Sequence, residues 1–314
     1  MTFSATQSFA GKPLVTWEVG KPVADPAQSV TRLSVNPYDD DLAFDEYFAK
    51  FMEAAAEHLP HMDSLIIGVW GESYEVNSSL PIGLLCQQSE LFPALRSLFI
   101  GDMELEECEV SWIQQSDISP LYSAFPKLEY LKVRGGEHLS PGTVMHNRLQ
   151  KIVIETGGIN SEVLEQARLA NIPELTHLEL WLGDDNYGCT IGKDDIAAFL
   201  NGLGQQFPKL TYLGLRNYYL SDDLAETVAN AELPASLITL DLSNGNLSDV
   251  GAKALLESDK LSQLTTLDLH HHFMSDEMMT KLSAAKNLPT LIMDDQNEAE
   301  EYDDEVYRYI FASE

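Results

Sequence analysis

The sequence predicts one α/β solenoid, in which short parallel strands form a concave sheet and helices cover the convex side. Two observations carry this prediction. Residues 210–222, 237–249 and 264–276 repeat one pattern at intervals of 27 residues, and stretches with helical character separate them. Because an overlooked repeat changes the whole fold assignment, this periodicity takes precedence over local patterns.

Each copy begins with the pattern Leu-x-x-Leu-x-Leu. The last two leucines, for example Leu240 and Leu242, point to the same face of a short strand because side chains alternate along it. One unit cannot bury them alone, so stacked units must share a core. About ten irregular units are expected over residues 30–293, since weaker copies start at Leu175, Leu149, Leu128, Leu95 and Met62, with fragments at Val30 and Leu288.

The stretches between the clearest copies predict helices over 221–230, 248–257 and 275–284. Each stretch opens with a serine (Ser221, Ser248 or Ser275) that can cap the free N–H groups of the first turn. Acidic residues follow, where the helix dipole favours negative charge.

Strands of this pattern followed by full helices resemble the leucine-rich repeat, in particular its ribonuclease-inhibitor-like type, and stand-alone bacterial proteins of this kind look similar. The resemblance implies a horseshoe-shaped solenoid whose concave sheet is the surface to search for function. One position departs from the family pattern. Three residues after the last strand leucine the family carries Asn or Cys, whereas this sequence has Gly245, His272 and Tyr218.

Both ends are expected to be caps. Residues 1–29 contain no leucine pattern and are expected to shield the first unit, as an N-terminal cap. Residues 294–314 are expected to form an acidic cap or tail, whose apolar stretch 306–311 packs on the last unit. The alternative for this segment is an acidic docking site for a basic partner.

Charge and cysteine content narrow the functional classes. The chain has 50 Asp and Glu against 19 Lys and Arg, a net charge of −31, which disfavours nucleic acid and anionic membranes as partners. Cys86, Cys108 and Cys189 are widely separated and form no paired motif, which favours reduced thiols. With no leader-like start and no apolar run of membrane length, we expect a soluble, cytoplasmic protein without a cofactor.

The non-leucine strand positions form three columns across the concave face, an alignment that places Arg32 level with Ser64. Aromatic residues along these columns lie between a basic and an acidic zone, and exposed aromatic and arginine side chains are enriched at binding hot spots. The columns therefore predict a face that binds a protein or peptide, as an inhibitor or adaptor. The candidate residues are Tyr130, Lys132, Arg134, His177, Trp181, Tyr212, Arg216, Asp241, Asp268 and His270.

No catalytic motif occurs in the sequence, so we expect no enzyme and no catalytic residues. Two alternatives to the binding module stay open. Asp268 and His270, with Asp241 and Asp294 on adjacent units, could form a metal-dependent or small-molecule site, and the chain could be a structural subunit of a larger assembly. The inserted loop 182–193 is a further candidate binding element.

Overall fold

The computed structural model describes residues 6–38, 42–303 and 305–313. Within them, twelve strands form one sheet and two form a separate hairpin. The sheet strands are β1 (Ser8–Phe9), β2 (Lys12–Thr16), β3 (Val30–Val35), β4 (Ser64–Trp70), β5 (Ser97–Ile100), β6 (Tyr130–Arg134), β7 (Lys151–Glu155), β8 (His177–Gly183), β9 (Tyr212–Tyr218), β10 (Thr239–Asp241), β11 (Thr266–Asp268) and β12 (Thr290–Ile292), and the hairpin strands are β13 (Glu300–Tyr302) and β14 (Glu305–Tyr307).

The strands of the sheet lie in chain order, and from β2 onward each pairs in parallel with the next. Leu213, Leu240 and Leu267, each 27 residues after the last, lie side by side and are fully buried. Residues one repeat apart in the sequence are thus neighbours in the sheet. The predicted leucine-rich-repeat solenoid is confirmed.

Helices follow most strands on the convex side, and helices of neighbouring units pack together. The described helices are α1 (Phe44–Ala54), α2 (Ser79–Gln87), α3 (Pro120–Ala124), α4 (Ser161–Leu169), α5 (Lys193–Leu200), α6 (Leu203–Gln206), α7 (Ser221–Asn230), α8 (Asp249–Glu257) and α9 (Asp276–Ala284). The three helices predicted from the regular units are α7, α8 and α9, each confirmed to within one residue.

The predicted serine caps are present in two of the three regular helices. The hydroxyls of Ser248 and Ser275 accept N–H groups from the first turns of α8 and α9. Ser221 does not cap α7, because its buried hydroxyl donates instead to the carbonyl of Tyr218 at 2.6 Å.

An aspartate in one helix also binds the serine of the next unit. Asp222 in α7 accepts the amide and hydroxyl of Ser248, at 2.9 and 2.6 Å. Asp249 in α8 accepts the same two groups of Ser275, at 2.7 and 2.8 Å. The repeated Ser-Asp pair therefore joins neighbouring units, in addition to starting the helices.

The position that lacks the family asparagine is filled differently in each unit. Tyr218 and His272 both turn inward and are fully buried there. The hydroxyl of Tyr218 donates to the Ile191 carbonyl at 2.6 Å, and the His272 imidazole bonds the Met293 carbonyl at 3.1 Å. At these two positions, side-chain hydrogen bonds to neighbouring units thus take the place of an asparagine ladder.

Both ends of the chain fold back over the solenoid. At the N-terminus β2 extends the sheet beyond β3, and β1 pairs antiparallel with β2. At the C-terminus Val306 in the hairpin is exposed, whereas Ile310 and Ala312 are buried against units well before the last one. Residues 1–5, Asp304 and Glu314 of the predicted caps lie outside the described residues.

Candidate binding face

The columns on the concave face follow the predicted register from β4 onward. Their middle column runs Ile66, Phe99, Lys132, Val153, Glu179, Gly214, Asp241, Asp268 and Ile292. The predicted position of Arg32 is wrong, since it lies level with Ile66 and not with Ser64. The pairing of β3 with β4 also shifts between Leu33 and Val35, an irregularity that the leucine spacing does not report.

The N-terminal part of the concave face is covered by the chain itself. Phe9, 5 % exposed, packs with Val30, Ile66 and Phe99 in a cluster separate from the main core. Its ring lies 5.8 Å from that of Phe99 and 4.9 Å from that of Tyr130. The apolar middle column of β4 and β5 is thereby removed from water and from any partner.

Two residues of the predicted basic zone (Lys132, Arg134 and Lys151) are paired with the carboxylate of Glu155. Arg134, only 3 % exposed, donates to Glu155 at 2.9 Å and to the Met103 carbonyl at 2.7 Å. Lys132 forms an ion pair with the other oxygen of Glu155 at 2.6 Å. The expectation that Arg134 is exposed is wrong, because its guanidinium forms these bonds inside the sheet.

Glu179 is the centre of a second buried group, the Glu179 network, made of His177, Glu179, Trp181, Tyr212, Arg216 and Asp241. The Trp181 indole N–H and Arg216 Nη1 each donate to Glu179 Oε1 at 2.8 Å, and Arg216 Nε lies 3.3 Å from Asp241 Oδ2. The guanidinium also lies 5.1 Å from the centre of the Trp181 ring. Trp181 and Asp241, expected to be exposed, are 5 % and 4 % exposed because the network buries them.

Two charges of this network, those of Glu179 and Arg216, are fixed at neutral pH. Burial alone would raise the pKa of Glu179, but hydrogen bonds from His177 and Trp181 and the charge of Arg216 hold that pKa at about 2. For Arg216 burial acts in the opposite direction and would lower the pKa, but the charges of Asp241 and Glu179 raise that pKa overall. Glu179 and Arg216 are therefore both ionised and compensate each other inside the sheet.

His177 and Tyr212 present their rings at the rim of the network. The rings stack with centroids 3.9 Å apart and parallel planes, and the Tyr212 hydroxyl donates to Asp241 at 2.6 Å. Burial and the nearby carboxylates raise the pKa of Tyr212, so the hydroxyl stays protonated as a donor. Gly214 leaves room for the ring, since a Cβ there would lie 3.2 Å from it.

One row of side chains remains open to solvent between the covered regions. We call it the open strip; it is the first residue of each strand from β6 to β11, and all six are half-buried: Tyr130, Lys151, His177, Tyr212, Thr239 and Thr266. Lys151 lies 5.0 Å from the centre of the Tyr130 ring, and burial lowers its pKa. No carboxylate in the described part of the chain forms an ion pair with Lys151.

The predicted Asp/His cluster is split by the turn after β11. His270 Nδ1 lies 2.7 Å from Asp268 Oδ1, and this hydrogen bond raises the pKa of His270. His271 instead faces Asp295, and His272 points into the core. Across residues 6–38, 42–303 and 305–313, no three His, Cys, Asp or Glu side chains are grouped to hold a metal ion. The geometry thus gives no support to the metal alternative.

The inserted loop 182–193 packs against the preceding unit. A Cβ at Gly183 would lie 2.0 Å from the Gly157 carbonyl oxygen, so the two backbones are in close contact. Burial raises the pKa of Cys189 to about 11, which keeps this thiol protonated.

Two features of this face were missed in the sequence. Phe9 was treated only as part of a cap, although Ala10 and Gly11, both with positive φ, mark a tight turn that returns β1 over the sheet. Asp102 was not considered, yet it accepts Arg32 Nε at 3.1 Å and the Thr6 hydroxyl at 2.5 Å. The glycine of the Ala-Gly pair is a local signal for the turn. The partners of Asp102 are distant in sequence, so no local pattern predicts them.

Three of the solved structures that match this chain cover most of its length. The crystal structure of a Bacteroides fragilis protein matches with a TM-score of 0.77 and 28 % sequence identity, over 90 % of this chain and 77 % of that one. An internalin of Listeria monocytogenes matches at 0.38 and 18 %, over 85 % and 67 % of the two chains. TLR13, in its complex with ssRNA13, matches at 0.44 and 14 %, over 88 % and 37 %.

The other comparisons give no match. No protein-family model fits the chain, and no curated protein resembles it in sequence. Separately, none of the helices in the described residues has the length and apolar character needed to cross a bilayer.

Proposed function

We propose that this protein is a non-enzymatic interaction module that binds a protein or peptide partner along the open strip. The observation that carries the proposal is the strip itself, six half-buried side chains on six adjacent strands, which spans about 24 Å at the usual strand spacing. Its two tyrosines offer aromatic area with few rotatable bonds, and tyrosine is enriched at binding hot spots, while its histidine and lysine add polar contacts.

The charge of the strip supports a protein partner over nucleic acid. The strip contains one lysine and no carboxylate, although the whole chain carries a charge of −31. A phosphate backbone requires clustered cations, and Lys132 and Arg216 beside the strip are already paired with carboxylates. The predicted residues Arg134, Trp181 and Asp241 act, in this proposal, as buried supports of the strip.

The finer assignments belong to the same proposal. Helices of eight to ten residues in the units from α4 to α9, apart from the short α6, support the ribonuclease-inhibitor-like type of repeat. Three unpaired cysteines support a reducing, cytoplasmic location.

Capture from an extract of the native host tests the proposal. Three forms of the full chain are immobilised: wild type, a strip variant (Lys151→Ala with Thr239→Arg) and a convex control (Val250→Arg). Thr239 is half-buried in the strip, so an arginine there adds bulk and charge at the proposed contact, whereas Val250 is 73 % exposed on α8.

We expect wild type and the convex control to capture the same protein. The strip variant should capture at least tenfold less of that protein, as measured by quantitative mass spectrometry. Equal capture by the strip variant would refute the role of the strip. Capture of an RNA in place of a protein would refute the partner class. A stoichiometric complex insensitive to the strip would favour the structural-subunit alternative.

A further inference from the structure

The last described residues of the chain lie in a groove at the carboxyl edge of the sheet. We call residues 309–313 the strap. Ile310 and Ala312 are only 7 % and 2 % exposed, although the preceding hairpin strands β13 and β14 are exposed throughout. The strap thus places two buried side chains, Ile310 and Ala312, at the end of an exposed tether, and its first residue, Tyr309, is still exposed.

The groove is built from one repeated position. Asn217 lies near the end of β9, and Asn244 and His271 follow β10 and β11, at intervals of 27 residues. All three have positive φ, between 53° and 66°. This left-handed backbone is uncommon outside glycine, and asparagine and histidine adopt it more readily than most residues. Each unit therefore turns in the same way and contributes one group to the groove.

These groups bind mainly the backbone of the strap. The His271 imidazole bonds the carbonyl of Tyr309 at 3.2 Å, and the amide of Phe311 donates to the Asn244 carbonyl at 2.9 Å. Asn217 makes two bonds to Ala312: its side-chain oxygen accepts the amide at 2.9 Å, and its side-chain NH₂ donates to the carbonyl at 2.5 Å. Because Asn217 is fully buried, loss of these bonds would leave its amide poorly satisfied.

The groove also contacts two side chains of the strap, those of Phe311 and Ala312. The Phe311 ring packs edge-on against Trp181 at 6.1 Å and against His271 at 5.8 Å. Ala312 lies beside Asn217 with 2 % exposure, so a larger side chain there would have to displace its neighbours. A Cβ at Gly157 would lie 2.5 Å from the Ser313 carbonyl oxygen, so the end of the strap also requires a glycine beneath it.

We propose that this groove is a second binding site, for an extended segment of a partner protein that carries an aromatic residue followed by a residue no larger than alanine. In the free chain the strap fills the groove, and the partner segment binds by displacing it. The contacts are mostly to backbone groups, so a foreign segment of this chemistry can form all of them. The strap of a second copy could form the same contacts. It would compete poorly, because the tether gives the chain's own strap an effective concentration in the millimolar range.

The test uses the full chain and a fluorescent peptide that corresponds to residues 306–314. The strap is disabled by Phe311→Ala with Ala312→Asp, which removes the ring contact and places a charge where Ala312 is buried. In a further variant Asn217→Gly is added, because glycine keeps the positive φ and removes the amide. Tyr307→Ala, on the exposed hairpin, is the matched control.

By fluorescence anisotropy we expect the strap-disabled chain to bind the peptide at least tenfold more tightly than wild type or the Tyr307→Ala control. A peptide with Ala312→Leu should bind at least tenfold more weakly, and so should the variant with Asn217→Gly. Circular dichroism confirms that the variants keep their fold, and hydrogen exchange of residues 309–313 reports whether the strap has left.

Three results would overturn the proposal. The first is no peptide binding when hydrogen exchange shows that the strap has left, and the second is a strap that stays protected despite both substitutions. The third is a dimer of the wild type that depends on the strap at micromolar concentration, which would assign the groove to a second copy. The groove shares no residue with the open strip, so the two proposals fail or stand independently.

Discussion

The two halves of the concave face are closed to partners in different ways. Over β3 to β5 the middle column is largely apolar, and Phe9 covers it. Over β8 to β10 the middle column holds Glu179, Gly214 and Asp241, and its charges are paired within the sheet. One half thus depends on hydrophobic burial and the other on ionic compensation. The residues left for a partner are those at the start of β6 to β11, whereas Val30 and Ser64, at the start of β3 and β4, are buried.

The largest effect is expected from Glu179→Ala in the ionic half. The substitution leaves Arg216 and the Trp181 N–H buried with fewer partners, and removal of one member of a buried ion pair costs about 3–5 kcal/mol. We expect a loss of about 4 kcal/mol in the free energy of unfolding, measured by urea denaturation.

Glu174→Ala is the matched control for that measurement. Glu174 bonds Lys209 at 2.7 Å with both side chains well exposed, so its loss should cost no more than about 1 kcal/mol. If the two variants lose similar stability, the ionic half does not depend on its buried charges and the comparison between the halves breaks down.

Phe9→Ala tests the apolar half. Truncation of a buried phenylalanine costs about 3–5 kcal/mol, and we expect the lower limit, about 3 kcal/mol, because Phe9 packs on one face of the sheet only. The variant should also bind a hydrophobic dye, since Ile66 and Phe99 become exposed. Val15→Ala, on the same hairpin but 42 % exposed, should do neither.

The pH dependence of the free energy of unfolding distinguishes the ionic half from the apolar half. The pKa of Glu179 is about 2 in the fold, below its ordinary 4.5, so the stabilisation is complete above pH 4.5 and is lost as the pH falls toward 2. The loss should reach about 3 kcal/mol, since one pKa unit corresponds to about 1.4 kcal/mol. Glu179→Gln should flatten this part of the pH profile relative to wild type, whereas Phe9→Ala should keep it. A profile unchanged by Glu179→Gln would contradict the assignment.

The fold could be predicted because the leucine pattern encodes it locally. Leu240 and Leu267 define their strands by spacing alone, and the register follows from a period of 27 residues. The predicted register is wrong at Arg32, where the pairing of β3 with β4 is irregular. Periodicity therefore predicts the scaffold wherever neighbouring strands pair without such a shift.

The binding face was harder to predict because its exposure depends on partners distant in sequence. Trp181 and Arg134 occupy outward columns, and such columns are usually exposed. Trp181 is buried by Arg216, 35 residues later, and by Phe311 near the chain end, and Arg134 by Glu155 of the next strand. No local pattern reports such contacts, so column position identified candidates but not their accessibility.

The smallest predicted effect concerns the convex side, where the C-terminal half has a regular link between units. Asp249→Ala removes two hydrogen bonds to Ser275, and we expect a loss of about 1.5 kcal/mol, typical of a helix-start contact. Asp223→Ala is the control, since Asp223 lies in the first turn of α7 as well. Within the described ranges its carboxylate accepts no hydrogen bond, so apart from its charge interaction with Lys193 only its dipole interaction, about 0.5 kcal/mol, should be lost. Both are measured by urea denaturation, and equal losses would mean that the Ser-Asp link adds nothing beyond the helix dipole.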